Sequence, residues 1–85
     1  MNITIRYFAA LRERIGRASE ECEVPPRIAT VGALRDWLVG RGDPWLAAFG
    51  EMKRLRTAVD QSMADDATRL HDGAEVAFFP PVTGG

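Results

Sequence analysis

The 85-residue sequence is poor in the side chains from which most sites are built. It holds one cysteine, Cys22, and one histidine, His71, so an internal disulfide is excluded and these two side chains alone cannot make a four-ligand zinc site. Neither sign of charge dominates: eleven basic residues face twelve acidic ones, and the basic ones are scattered. Nucleic-acid binding through a basic stripe is therefore not expected. No apolar run approaches the roughly 20 residues of a membrane-spanning helix, and no basic leader with an apolar stretch opens the chain. With a lone free cysteine, the expectation is a cytoplasmic chain with no membrane partner. Glycine-rich phosphate or dinucleotide loops are also missing, and the length leaves no room for a second folded unit.

What is present is ordinary globular composition, 46% hydrophobic and 27% charged, enough for one modest core. Ile3, Ile5 and Tyr7 alternate with Thr4, Arg6 and Phe8, which predicts a first strand over 2–8 with Phe8 on the outward face. Leu11 and Ile15 share a helical face ahead of Gly16, predicting a short helix over 10–15. Cys22 and Val24 alternate with Glu21 and Glu23 before Pro25 and Pro26, a second strand antiparallel to the first. Thr30 caps a main helix in which Val31, Leu34 and Leu38 share one stripe, with Gly40 and Gly42 as stops. Asp43 followed by Pro44 predicts the start of a second short helix through about residue 49. Leu55, Thr57 and Val59 read as a third strand whose outer face carries Arg54 and Arg56, and 60–69 reads as a turn-rich connection. Leu70 is expected to anchor a brief strand ahead of the Asp72-Gly73 turn, and Val76 and Phe78 point inward from a last strand that turns Phe79 outward. This order predicts an α+β domain, a mixed sheet of four to five strands packed on one main helix with short extra helices.

Candidate chemistry inside this domain is thin. His71 sits beside a turn without a placed partner, and Cys22 faces the core, so both are expected to be structural. The adjacent pairs Glu20-Glu21 and Asp65-Asp66 point to opposite faces of an extended chain, and solvation is the expected role of each. The informative stretch is the end, FFPPVTGG. Pro80 and Pro81 hold their own φ and keep the preceding residues extended, so the chain should leave the last strand stiffly. Val82, Thr83, Gly84 and Gly85 can then reach about 13–14 Å beyond the domain. Two glycines without Cβ atoms can enter a narrow channel and present an unhindered terminal carboxylate.

The segment DGAEVAFFPPVTGG, residues 72–85, resembles the C-terminal signature of the small, sulfur-carrying subunits of molybdopterin synthase, a family of ubiquitin-like β-grasp proteins. IRYFAALRERIG, TVGALRDWL and TAVDQ agree more weakly with the same family. The resemblance implies a β-grasp domain over 1–81 and a flexible sulfur-carrying tail over 82–85. It also implies a sulfur donor to cyclic pyranopterin monophosphate, with the catalytic residues on a large subunit. A ubiquitin-activating-type enzyme would adenylate the carboxyl of Gly85 with ATP, and sulfur delivered by a sulfurtransferase would replace AMP to leave a thiocarboxylate. Val82, Thr83 and Gly84 would line the partner's channel, and Phe8, Met63, Phe79, Pro80 and Pro81 would contact the large subunit, expected in a heterotetramer. No metal or permanently bound cofactor is implied. Two alternatives remain: a thiamine-pathway sulfur carrier, which generally lacks the FFPPV lead-in, and a ubiquitin-like modifier or adaptor.

Residues 82–85 offer only Val82 for apolar burial, too little to offset an ordering cost of about 1–2 kcal/mol per residue. Amide relaxation should therefore find them mobile in the free protein and ordered on a partner; a tail already rigid in the free monomer would contradict this.

Overall fold

The structure is a computed structural model that describes residues 1–81. The alternation and helical stripes in the sequence become β1 (Asn2–Tyr7), α1 (Ala9–Ile15), β2 (Ser19–Glu23), α2 (Val31–Val39), α3 (Trp45–Glu51), β3 (Arg56–Val59), β4 (Ser62–Ala64) and β5 (Glu75–Phe79). The strands form one sheet in the order β2-β1-β5-β3-β4. Only the β1–β5 pair within it is parallel, and it brings the first and last strands together at the centre.

One face of this sheet is the core. Ile3, Ile5, Tyr7, Val76 and Phe78 are buried there against Val31, Leu34 and Leu38 of α2. Each such side chain contributes about 1.5–3 kcal/mol by leaving water. Helix α2 starts where the sequence predicts, because Thr30 Oγ1 accepts the backbone N–H of Ala33 at 3.2 Å and fills one of the unpaired donors of the first turn. Helix α1 ends at Gly16, whose φ of 89° is open to glycine at little cost. Helix α3 begins at Trp45, with Asp43 Oδ1 accepting the N–H of Ala47, and runs two residues past its expected end. It closes one end of the core by setting the Phe49 ring edge-on to Phe78, with centroids 5.3 Å apart.

Two expectations change. The brief strand expected at Leu70 lies instead at Ser62–Ala64, inside the segment read as connection. Asp60 and Gln61 both adopt left-handed φ, 49° and 69°, a two-residue hairpin geometry that returns the chain against β3. Asp-Gln lacks the glycine that usually marks such a turn. Leu70 remains buried, held by its N–H to the carbonyl of Ala29 and by an isolated bridge between Thr30 and Arg69.

The second change is Glu20. Its neighbour Glu21 is solvated, but the Glu20 side chain is only 6% exposed. The register pairs it with Ile5, and inward alternation takes it under the sheet. The Tyr7 hydroxyl donates to Glu20 at 2.7 Å and accepts from Trp45 Nε1 at 3.0 Å, while Arg41 donates to the same carboxylate at 2.9 Å and the Cys22 thiol at 3.2 Å. The Arg41 guanidinium also lies 4.0 Å from the Trp45 ring centroid, a stacked cation–π arrangement. This network ties β1, β2, the end of α2 and α3 together. Burial opposes ionisation of Glu20, but the hydrogen bonds from Tyr7, Arg41 and Cys22 outweigh it and hold the carboxyl below its ordinary range. Burial, reinforced by Glu20, pushes the Cys22 thiol up to about 11. A thiol in that state is protonated at neutral pH and inert.

Glu20→Ala should lower stability at pH 7 by about 2–3 kcal/mol, because it strands Tyr7 and Arg41 without their acceptor. A depressed folded-state pKa contributes stability above the ordinary carboxylate pKa, and that stability is lost as pH falls through the folded value. The gap between wild type and variant should therefore narrow below about pH 4. Urea denaturation at neutral and acid pH measures this; an equal gap at both would contradict a charged, paired Glu20.

Candidate functional site

The site grows from the alternation of β5. Tyr7 is paired with Phe78 and Arg56 with Phe79. Because side chains alternate along a strand, burial of Phe78 sends Phe79 to the uncovered face. On the β1 side the Phe8 N–H donates to the carbonyl of Phe78 at 3.2 Å, so Phe8 follows Tyr7 out of the core beside Phe79. The Phe8 ring is 41% exposed.

The two rings and Pro80 form the tail end of an open groove with Ala77 in its lining, while Gln61 and Glu75 line it further back. Arg6 borders it, its guanidinium 5.5 Å from the centroid of Phe8 and 3.7 Å from Glu75. Ala77 and Ala58 are cross-strand partners on this face, and their small side chains leave the centre of the sheet low between the aromatic rings and β4. Met63, paired with Ala58, is exposed on the same face but lines a neighbouring groove with Arg56 and Leu55. The structure thus brings together Phe8, Phe79 and Pro80, and places Met63 two strands from β5. Pro81 is half-buried as the chain leaves the sheet. Val82, Thr83, Gly84 and Gly85 lie outside the described residues.

His71 stands away from this tail-root cluster, beside the β3–β4 hairpin. Its Nε2 is 2.6 Å from Asp60 Oδ2, and Asp60 Oδ1 accepts the N–H of Glu75. The Glu75 N–H first, then His71, holds the Asp60 carboxyl below its usual range, and Asp60 in turn raises the imidazole. The pair is exposed and ties the hairpin to the start of β5. Among the described residues, no group of three or more histidine, cysteine or carboxylate side chains gathers as a metal site. Sequence reasoning missed Gln61 in the groove and Arg56 beside Phe79. The only signal for Arg56 was its alternation with Thr57, which says which face it takes but not which neighbour it meets.

A mixed sheet with its first and last strands parallel at the centre, one main helix across one face, and a C-terminal segment leaving beside an aromatic pair on the uncovered face define a ubiquitin-like β-grasp protein. SAMP1 from Haloferax volcanii, a solved structure, matches it over 100% of both chains at TM-score 0.78 and 31% identity. The chain belongs to the ThiS family, whose model matches residues 5–85. Among curated relatives it is similar to the molybdopterin synthase sulfur carrier subunit of Escherichia coli, 42% identical over 98% of this chain and 99% of the relative. It is also similar to small archaeal modifier protein 3 of Haloferax volcanii, 33% identical over the whole of both.

Parity along β5 separates fold from docking. Phe78→Ala should cost about 3–5 kcal/mol of stability through the cavity it leaves, whereas Phe79→Ala should cost about 1 kcal/mol or less. Denaturant unfolding of the two variants checks this, and equal losses would contradict an outward Phe79.

Proposed function

We propose that this chain is a sulfur carrier for molybdopterin synthesis. What carries the reading is one juxtaposition: a Gly-Gly terminus follows Pro80 and Pro81 directly from a Phe8–Phe79 pair on the uncovered face, Phe8 exposed and Phe79 half-buried, in a chain similar along its length to a molybdopterin synthase sulfur carrier subunit. The aromatic face docks on the large subunit, and the diproline directs Val82, Thr83 and Gly84 into its active site. Gly85 supplies the chemistry.

A carboxylate is a poor electrophile. Attack of its oxygen on the α-phosphorus of ATP, with loss of pyrophosphate, gives an acyl adenylate; the outer sulfur of a sulfurtransferase persulfide then expels AMP to form an acyl disulfide, and a thiol cleaves that bond by disulfide exchange. The resulting thiocarboxylate is a nucleophilic sulfur that the large subunit directs at cyclic pyranopterin monophosphate. Because each tail carries one sulfur and a dithiolene holds two, two charged chains serve each product. The domain over 1–81 supplies recognition, and the tail over 82–85 supplies the cargo. This division explains why the groove needs shape and apolar surface but no general base of its own.

The relative named as a modifier favours a second reading, in which the activated tail condenses with an amine. Both readings require Gly85, so its deletion alone does not separate them. Intact-mass analysis after incubation with the adenylating enzyme, ATP and a sulfur source should show the exchange of one oxygen for sulfur, in wild type and not in the Gly85-deleted chain. Thiocarboxylate on wild type that restores molybdopterin formation with the large subunit is the expected result. Isopeptide-linked conjugates without thiocarboxylate would favour the modifier, and normal cofactor synthesis by the deleted chain would overturn the sulfur-carrier reading.

A further inference from the structure

The strand directions bring more than aromatic rings to the root of the tail. Strand β5 ends where antiparallel β3 begins, so Arg56 stands beside Phe79 on the uncovered face, and Lys53 and Arg54 lie just upstream at the same end of the sheet, on a neighbouring groove that they share with Arg35, Asp66 and the end of α3. All three are exposed. Among the described residues none of them makes an ion pair. Asp65 and Asp66 share the adjoining groove with Arg56, but their carboxylates are engaged elsewhere. Arg35 clasps Asp66 through two bonds of 2.7 and 2.8 Å, and Asp65 accepts from Ala67 and Thr68. At the other end of the same face Glu21 and Glu23, opposite Thr4 and Asn2, make no ion pair among the described residues, while Glu75 is paired with Arg6 and Asp60 with His71. A chain of net charge −1 thus presents a face that is basic and aromatic at the tail root and acidic at the far end.

We propose that Lys53, Arg54 and Arg56 form a docking rim that seats on an acidic mouth of the large subunit's active site. The inference rests on the sulfur-carrier reading and adds the charge of the partner. A site that accepts a terminal carboxylate needs positive charge or N–H donors at its floor. If that charge extended to the mouth, it would repel the rim; acidic residues around the opening would instead attract it while the floor stays basic. Charge layered in this way draws the carrier in with the tail leading and rejects the reverse orientation. A second copy of this chain does not fit. A two-fold that stacks the aromatic pairs sets Arg56 and its neighbours against like charges, and one that matches basic to acidic ends buries the rings against carboxylates.

The test is stopped-flow association of the full chain with the molybdopterin synthase large subunit from the same cell, at about 50 and 300 mM salt, which straddle the screening range. Wild-type association should slow markedly with salt. Arg56→Glu should lower the association rate about five-fold at low salt and flatten the salt dependence, with Arg56→Gln intermediate and dissociation changed less. Phe79→Ala should act mainly on dissociation. Thermal unfolding establishes that the Arg56 variants remain folded. Unchanged or faster association of folded Arg56→Glu, beside normal wild-type binding, would overturn the acidic mouth alone. Failure of wild type itself to bind would overturn the sulfur-carrier reading and this inference with it. A wild-type dimer in sedimentation that Arg56→Glu dissolves would assign the rim to self-association instead.

Discussion

The parallel pairing of β1 with β5 at the centre of the sheet is the constraint from which the rest follows. Parallel neighbours point the same way, so the C-terminal ends of the first and last strands lie side by side, and the residues that follow each emerge at one place. Phe8 and Phe79 meet there although 71 positions apart, and the diproline departs from the same point. Antiparallel β3 joins on the other flank of β5 and contributes its first residues, which is why Arg56 belongs to the same neighbourhood. A one-residue slip in this register would move Phe79 into the core and Phe78 into water. The burial of Ile5, Tyr7, Val76 and Phe78 under α2 makes that slip costly, so the stability of the core also positions the site.

A second tie holds the opposite flank. The carboxylate of Glu20 sits where a purely apolar core would have left Tyr7 and Arg41 without a common acceptor, and the Tyr7 hydroxyl it holds in turn accepts from Trp45. Each of its hydrogen bonds comes from a different element, so the network fixes how α3 meets the sheet while α2 covers the centre. Through Phe49 against Phe78, the position of α3 reaches the strand that carries the site. The polar network lies under the sheet and the candidate groove lies over it; β1 is common to both.

The uncovered face separates two tasks that an enzyme usually combines. Its groove is apolar and shallow at the rings, low at Ala77 and Ala58, and bordered by arginine, a combination suited to recognition. In the proposed function the reactivity belongs to the terminal carboxyl and its activation to a separate enzyme. Under the proposed function the domain would govern which protein receives the tail, and the charge arrangement around Phe79 would govern how the two approach.

Local chemistry made much of this legible. Alternation in NITIRYF and AEVAFF, the Thr30 cap, the glycine after Ile15 and the proline pair before the terminus each act over a few residues, so strands, helices and the outward turn of Phe8 and Phe79 could be read without a structure. The resemblance of residues 72–85 to a known family supplied the functional expectation that spacing alone did not. What the chain concealed were properties of contact across the fold. Glu20 and Glu21 are adjacent carboxylates in sequence, and only the packing of Tyr7, Arg41 and Trp45 makes one of them a buried acceptor. The Asp60-Gln61 hairpin lacks a glycine, so the register of β4 on β3 became visible only in the sheet. Arg56 could be assigned a face by period, but its neighbour could not, because alternation reports which side a residue takes and pairing between distant strands decides whom it meets there.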